Sequence, residues 1–489
     1  MADLNNLLTR PATELAALVR GGEVSSRELV ETVFERMEAL NPRVNAFTAL
    51  DADRALQAAD QMSAGDPRPF AGVPIAIKDL FTPIRGFRQT NCSELLSAGA
   101  ISDFDHNVVA RVRDAGFVIV GVTNSPEFGI LPVTEPRLNG PTRNPWNLER
   151  TPGGSSGGAA AAVAAGMVPV AHGSDGGGSI RIPAACCGLF GLKPSRGRIS
   201  LAPALGDHFL VTDGVLTRGV ADSAAMLDLL AGYVTGDATW AQPPDAPFAA
   251  AAGREPGRLR VGLYTGSPMG SEVEPACTRA AEDAARLLSS LGHEIVEARP
   301  LELPELLPMF TVLWAATVAG SVTLTAMLAG REPTQANIEP LSWALYQQGI
   351  GTNAVQLAGA VVALQAAARR IVAQFDDFDV MLTPALGQRP VAIGEIDACS
   401  ESPMADFAAS AEFTPYTAIW NVTGQPAMSV PLYQGDDGLP LAVQIVGRPV
   451  SETMLLSLAA QLEAAEPWAD RLSGPPPVPW TRSELTVSE

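Results

Sequence analysis

The sequence predicts an α/β fold on three observations: short β-rich apolar runs bounded by Gly or Pro, helical spacings of Leu, Val and Ala between them, and abundant apolar residues. The 489 residues are 47% hydrophobic, enough for one large α/β domain or for two to three ordinary ones.

Residues 11–40 carry helical spacing, and Ser25-Ser26 ahead of Glu28 opens a helix over Arg27 to Leu40 that should stop before Asn41-Pro42. Residues 1–60 are therefore expected as a helical lead-in. The texture then changes to buried strands, at residues 73–81 and 117–123, with helical patterns at Asn107 to Ala115 and Gly157 to Ala165. A Pro/Gly/Ala-rich stretch, 236–257, reads as a surface connection. Beyond it strands are expected at 259–264, 379–384, 427–432 and 442–447, with helices near 275–291 and 451–464. The segment from Pro304 to Ile350 is helical and rich in Trp, Leu and Met, a composition that favours core over a pocket wall.

With 53 acidic against 33 basic residues the formal charge is −20, which repels phosphate backbones and anionic lipid. Neither nucleic acid nor membrane is an expected partner. The run Ala159 to Ala171 reads as the longest apolar stretch, short of the roughly 20 residues a spanning helix needs. No secretory signal is evident at the first residues, and five cysteines without metal-ligand spacing suit a reducing compartment, so a cytoplasmic location is expected. No metal or cofactor is called for, and the oligomeric state is left at monomer or homodimer.

The chemistry concentrates in two glycine-flanked serines, Ser155 in T-P-G-G-S-S-G-G and Ser179 in G-S-D-G-G-G-S-I-R-I-P. A serine nucleophile needs a base, a rigid position and donors aimed at the developing oxyanion. The first run opens directly into a good helix former, which argues for a helix cap rather than a linker. In the second, Gly176, Gly177, Gly178 and Ser179 can point successive N–H groups into one concavity. A phosphate loop fits poorly, because no lysine follows the glycines. Asp175 and Arg181 flank Ser179 and could pair to hold the loop. None of the four histidines sits in an evident triad context, whereas Lys78, in A-G-V-P-I-A-I-K-D-L-F, lies at an apolar strand end where desolvation would lower its pKa toward neutrality.

The stretch from Gly153 to Ser200, with Lys78 in A-I-K-D, resembles the amidase signature family of Ser-cisSer-Lys hydrolases. G-V-T-N-S-P-E-F (121–128), T-R-N-P-W-N (142–147), Y-T-A-I-W-N-V-T-G-Q-P-A (416–427) and G-L-P-L-A-V-Q-I-V-G (438–447) extend the resemblance over nearly the whole chain. It implies one domain over 1–489 with a catalytic core at 70–210, built on a central mixed, twisted sheet with helices on both faces. It further implies Ser179 as nucleophile, Ser155 as a relay preceded by a cis peptide bond, Lys78 as base, and an oxyanion hole from Gly176 to Ser179. Ser156, Asp175 and Arg181 would support these groups. The implied activity is cleavage of the C–N bond of small or oligomeric amides, with aryl amides, esters and carbamates open to the same acyl chemistry. An amidotransferase A-type subunit that releases ammonia for a partner protein is the alternative, disfavoured by G-L-K-P-S-R-G-R-I-S and the acidic balance. The acyl pocket is expected around Glu127, Phe128, Gly129, Ile130 and Leu131, with Phe310, Trp314, Ile419 and Trp420, and the helical segment at 300–350 is a candidate wall.

Overall fold

In the computed structural model, which describes residues 4–301, 304–469 and 471, the six runs expected as strands are strands, and seven strands that the sequence reading did not place join them, thirteen in all. They begin with β1 (Phe47–Leu50), β2 (Pro74–Lys78), β3 (Arg88–Gln89), β4 (Ala100–Ile101), β5 (Val118–Thr123), β6 (Ala171–Asp175) and β7 (Phe190–Lys193). β8 (Thr212–Thr217), β9 (Arg260–Leu263), β10 (Glu294–Glu297), β11 (Val380–Pro384), β12 (Ala427–Gln434) and β13 (Pro440–Gly447) follow. Apart from the β3–β4 ribbon, they join in one 11-stranded sheet of order β1-β5-β2-β6-β8-β7-β12-β13-β11-β9-β10. The sheet is mixed. β2 runs parallel to β5 and β6, and β9 to β10 and β11, whereas pairs such as β6–β8, β7–β12 and β12–β13 are antiparallel.

Side chains alternate across the pleat, so a strand buried on both faces feeds two cores. Ile75 and Ile77 of β2 enter one core with Val443 and Ile445 of β13, packed under helices Ala12–Gly21, Asn107–Asp114, Val220–Leu230, Pro275–Ser290 and Glu452–Ala465. Ala76, between the two isoleucines, faces the opposite core with helices Gly157–Ala164 and Arg181–Cys187. Both faces are covered, and the functional site forms on the second.

The helix opened by Ser25 has the expected capping box with Glu28 but runs over Ser26–Val44, past Pro42. The fixed φ of proline is compatible with a helix, so the final turn closes around it, and Asn45 ends the helix in the left-handed conformation (φ 55°). The 236–257 connection includes a short helix, Phe248–Ala252, that buries Phe248.

The 304–350 segment forms helices Leu307–Ala329 and Pro340–Gly351. The first corrects the reading of 159–171 as the longest apolar stretch. Over 18 residues this 23-residue helix reaches a mean hydropathy of 1.7, and helix 354–376 reaches 1.3, so both are long and apolar enough to cross a membrane. In this fold the first helix buries Leu313, Ala315, Val318 and Val322 against the body and leaves Met327 and Leu328 exposed. It is a wall as much as a core helix, because Phe310 and Trp314 face cavities.

Candidate active site

The parallel strands β2 and β6 end side by side, and ligand sites in α/β sheets favour such carboxyl ends. Lys78 is the last residue of β2 and is fully buried. Its Nζ donates to Ser155 Oγ at 2.7 Å and to Ser174 Oγ at 3.1 Å. Burial is the largest influence on this amine and lowers its pKa to about 7, against the opposing pull of Asp175, Asp213 and Cys92. Near neutrality a large fraction of Lys78 is therefore unprotonated.

The peptide bond Gly154–Ser155 is cis, and the chain then enters helix Gly157–Ala164. Ser156 stitches the two glycine-rich turns together: its N–H donates to Ser179 O and its Oγ to Ser174 O, each at 3.2 Å. Ser155 and Ser179 both line one cavity of 820 Å³.

Asp175, at the end of β6, organises the turn that carries Ser179. Its carboxylate accepts from Gly178 N at 2.8 Å, Ile180 N at 3.1 Å, and Arg181 Nε and Nη2 at 3.0 and 2.9 Å. Burial alone would raise the Asp175 pKa, but the charge and hydrogen bonds of Arg181, with Lys193 and Asn421, hold it well below the usual carboxylate range. Both partners of the ion pair are buried, so this is no surface pair.

The geometry corrects one expectation about the oxyanion hole. Because Gly178 N–H is taken by Asp175, the amides left without an acceptor among the described residues are those of Gly176, Gly177 and Ser179. Gly178 matters for another reason: its φ is +132°, and a Cβ there would stand 2.4 Å from Thr417 Oγ1.

The pocket guesses divide. Gly129, Ile130, Leu131, Phe310, Trp314 and Ile419 line a cavity of 270 Å³ beside Ser179, and Phe128 lines the larger one. Glu127 does not reach either. It turns into the body, where its carboxylate accepts from Ser93 Oγ at 2.6 Å and Glu339 N at 2.8 Å, and burial beside Glu339 raises its pKa. Trp420 is likewise core: it is fully buried and packs edge-on to Phe375, with centroids 6.1 Å apart. It follows Ile419 in the helix, so its side chain points away from the cavity wall.

Sequence reasoning missed Ser174, Thr417 and Asn421. Thr417 Oγ1 donates to Gly177 O at 2.7 Å, and Asn421 Nδ2 donates to Asp175 Oδ1 at 2.8 Å. All three lie inside stretches already singled out, but nothing local to them signals contacts 96, 240 and 246 residues away, in that order. Of the histidines, His172 contacts Lys78: its Nδ1 accepts from Lys78 N at 3.4 Å, and its Nε2 lies 3.3 Å from Asp213 Oδ1.

This arrangement can deprotonate a hydroxyl, offer free amides to an anion and hold an apolar group beside Ser179. The family model described as Amidase matches residues 28–456. The chain is 38% identical over 478 residues to 6-aminohexanoate-cyclic-dimer hydrolase from Paenarthrobacter ureafaciens, covering 95% of this chain and 96% of that protein. A solved structure of 6-aminohexanoate cyclic dimer hydrolase superposes with a TM-score of 0.90 at 38% identity, over 95% of this chain and 98% of that one. A bacterial aryl acylamidase of the amidase signature family superposes with a TM-score of 0.84 at 27% identity, over 95% and 98%. The chain therefore belongs to the amidase signature family and is a hydrolase acting on amide C–N bonds.

Proposed function

We propose that the protein hydrolyses small or oligomeric amides through an acyl-enzyme on Ser179, with Lys78 as base and Ser155 as proton relay. The observation that carries this reading is the 2.7 Å hydrogen bond from a fully buried Lys78 to Ser155, in a cavity that Ser155 shares with Ser179. Neutral Lys78 takes the proton of Ser155 as Ser155 takes that of Ser179. Ser179 Oγ bonds to the substrate carbonyl carbon, and the carbonyl π pair moves onto oxygen, where the amides of Gly176, Gly177 and Ser179 receive it. Collapse of that intermediate breaks the C–N bond. The amine leaves with a proton from Ser155, which regains one from the Lys78 ammonium. Water then repeats the sequence at the ester and releases the acid with free Ser179.

Asp175, Arg181 and Ser156 hold the two turns in register. Aryl amides, esters and carbamates are accessible to the same steps, since each presents a carbonyl with a leaving group that needs at most one proton. The amidotransferase alternative is less well supported: an amino-acid amide donor carries charged groups, and no charged side chain lines the smaller cavity. A cytoplasmic location suits five free cysteines, four of them buried.

A phosphonyl or sulfonyl fluoride that reacts with activated serines tests the assignment. The modified peptide should contain Ser179 and no other labelled serine. Label elsewhere, or release of amine only when a second protein is added, would refute the stand-alone hydrolase.

A further inference from the structure

Two cavities converge on Ser179, and they differ in chemistry. The smaller, of 270 Å³, is walled by side chains such as Ile130, Leu131, Ile182, Phe310 and Phe407, and none of its lining side chains is ionisable. The larger, of 820 Å³, carries all the ionisable lining: Asp103, His106, His208 and Asp213. Gly129, Ser179 and Trp314 line both, so the nucleophile stands at the junction. Ser155 and Ser174 line the larger one alone.

That asymmetry orients a substrate. The departing nitrogen must receive a proton from Ser155, so it has to lie on the Ser155 side of the attacked carbon. The oxygen goes to the free amides, which leaves the remaining direction for the acyl substituent. We propose that the smaller cavity takes the acyl group and the larger takes the amine component, making the substrates amides of uncharged, apolar carboxylic acids with a larger or polar amine part. The proposal rests on the catalytic reading above. Apolar lining on the acyl side gains with each methylene and rejects a charge, because a carboxylate or ammonium there would lose its water without gaining a partner.

A series of p-nitroanilides holds the amine side constant while the acyl group varies. From acetyl to hexanoyl, kcat/KM should rise about fourfold per methylene. Replacing the far end of the hexanoyl chain with a carboxylate or an ammonium should lower it at least 100-fold, a loss of about 2.7 kcal/mol. Equal turnover of the charged acyl groups would overturn the proposal. Two variants test the orientation without touching the catalytic groups. Ala411→Leu narrows the smaller cavity, and Gly320→Leu the larger; a Cβ at Gly320 meets nothing within 4 Å, so its helix is undisturbed. Ala411→Leu should penalise hexanoyl over acetyl by tenfold or more, and Gly320→Leu should penalise bulky amines over methylamine. The crossed pattern, or no selectivity in either variant while Ser179 still takes a phosphonyl label, would overturn the orientation and leave the catalytic reading standing. Absence of label at Ser179 would bring down both.

Discussion

Lys78 Nζ and Ser155 Oγ are 2.7 Å apart although 77 residues separate them, one at the end of a buried strand and the other just ahead of a helix. The strand removes water from the amine, and the glycine-rich turn presents a hydroxyl to it.

The pH dependence of activity follows from that pair. Burial lowers the Lys78 pKa to about 7, and the proposed relay requires the neutral amine. The expected kcat/KM for an unactivated amide therefore rises about tenfold per pH unit below 7 and levels off above it. A flat profile between pH 5 and 7, with the fold intact by circular dichroism, would contradict Lys78 as base.

Stability should respond in the same direction for a linked reason. The folded-state Lys78 pKa lies below its unfolded value of 10.5, so the unfolded chain binds more protons between pH 7 and 10.5 and the Lys78 contribution to stability rises with pH there. Lys78→Met, which removes the buried amine, should abolish turnover yet keep or raise the urea midpoint at pH 7. A strongly lowered midpoint would point to a structural role for the amine.

Ser179→Ala and Ser155→Ala should each reduce kcat by roughly 10³-fold or more, and the double variant should lose little beyond the worse single one, because the residues act as one unit. Additive losses would separate them.

The Asp175–Arg181 pair is buried, so Arg181→Leu leaves an uncompensated carboxylate and should cost about 3–5 kcal/mol in urea unfolding. Asp175→Asn has a second, kinetic signature. Asp175 is the charge that raises the Lys78 pKa most, so removing its charge should move the acid limb of the pH profile to lower pH. An upward shift would be the wrong sign.

Glu127 and Glu339 are buried together, and burial pushes both pKa values above the ordinary 4.5. The folded state then binds more protons than the unfolded one above pH 4.5, so this pair should make stability fall as pH rises from there. Glu127→Gln should flatten the fall in Tm between pH 5 and 8 relative to the parent.

What was legible in the sequence was local. Consecutive glycines around Ser155 and Ser179, the apolar flanks of Lys78 and the Val/Ile runs each constrain their own neighbourhood, which sufficed for six of the thirteen described strands, the helix over 157–164 and the resemblance that implied the three catalytic positions. The 307–329 helix was underread because its Trp, Thr and Gly residues break a visually continuous apolar run, though it carries no charge. What only the tertiary structure decided was where side chains turn. Glu127 and Phe128 are adjacent, yet one enters the body and the other a cavity; Ile419 and Trp420 divide in the same way. Gly178 N–H goes to a carboxylate rather than to open space. Neighbouring residues in a turn or helix point in different directions, and which direction is solvent, core or cavity depends on how the rest of the chain packs around them, from Asp175 beside Gly178 to Glu339, 212 residues beyond Glu127.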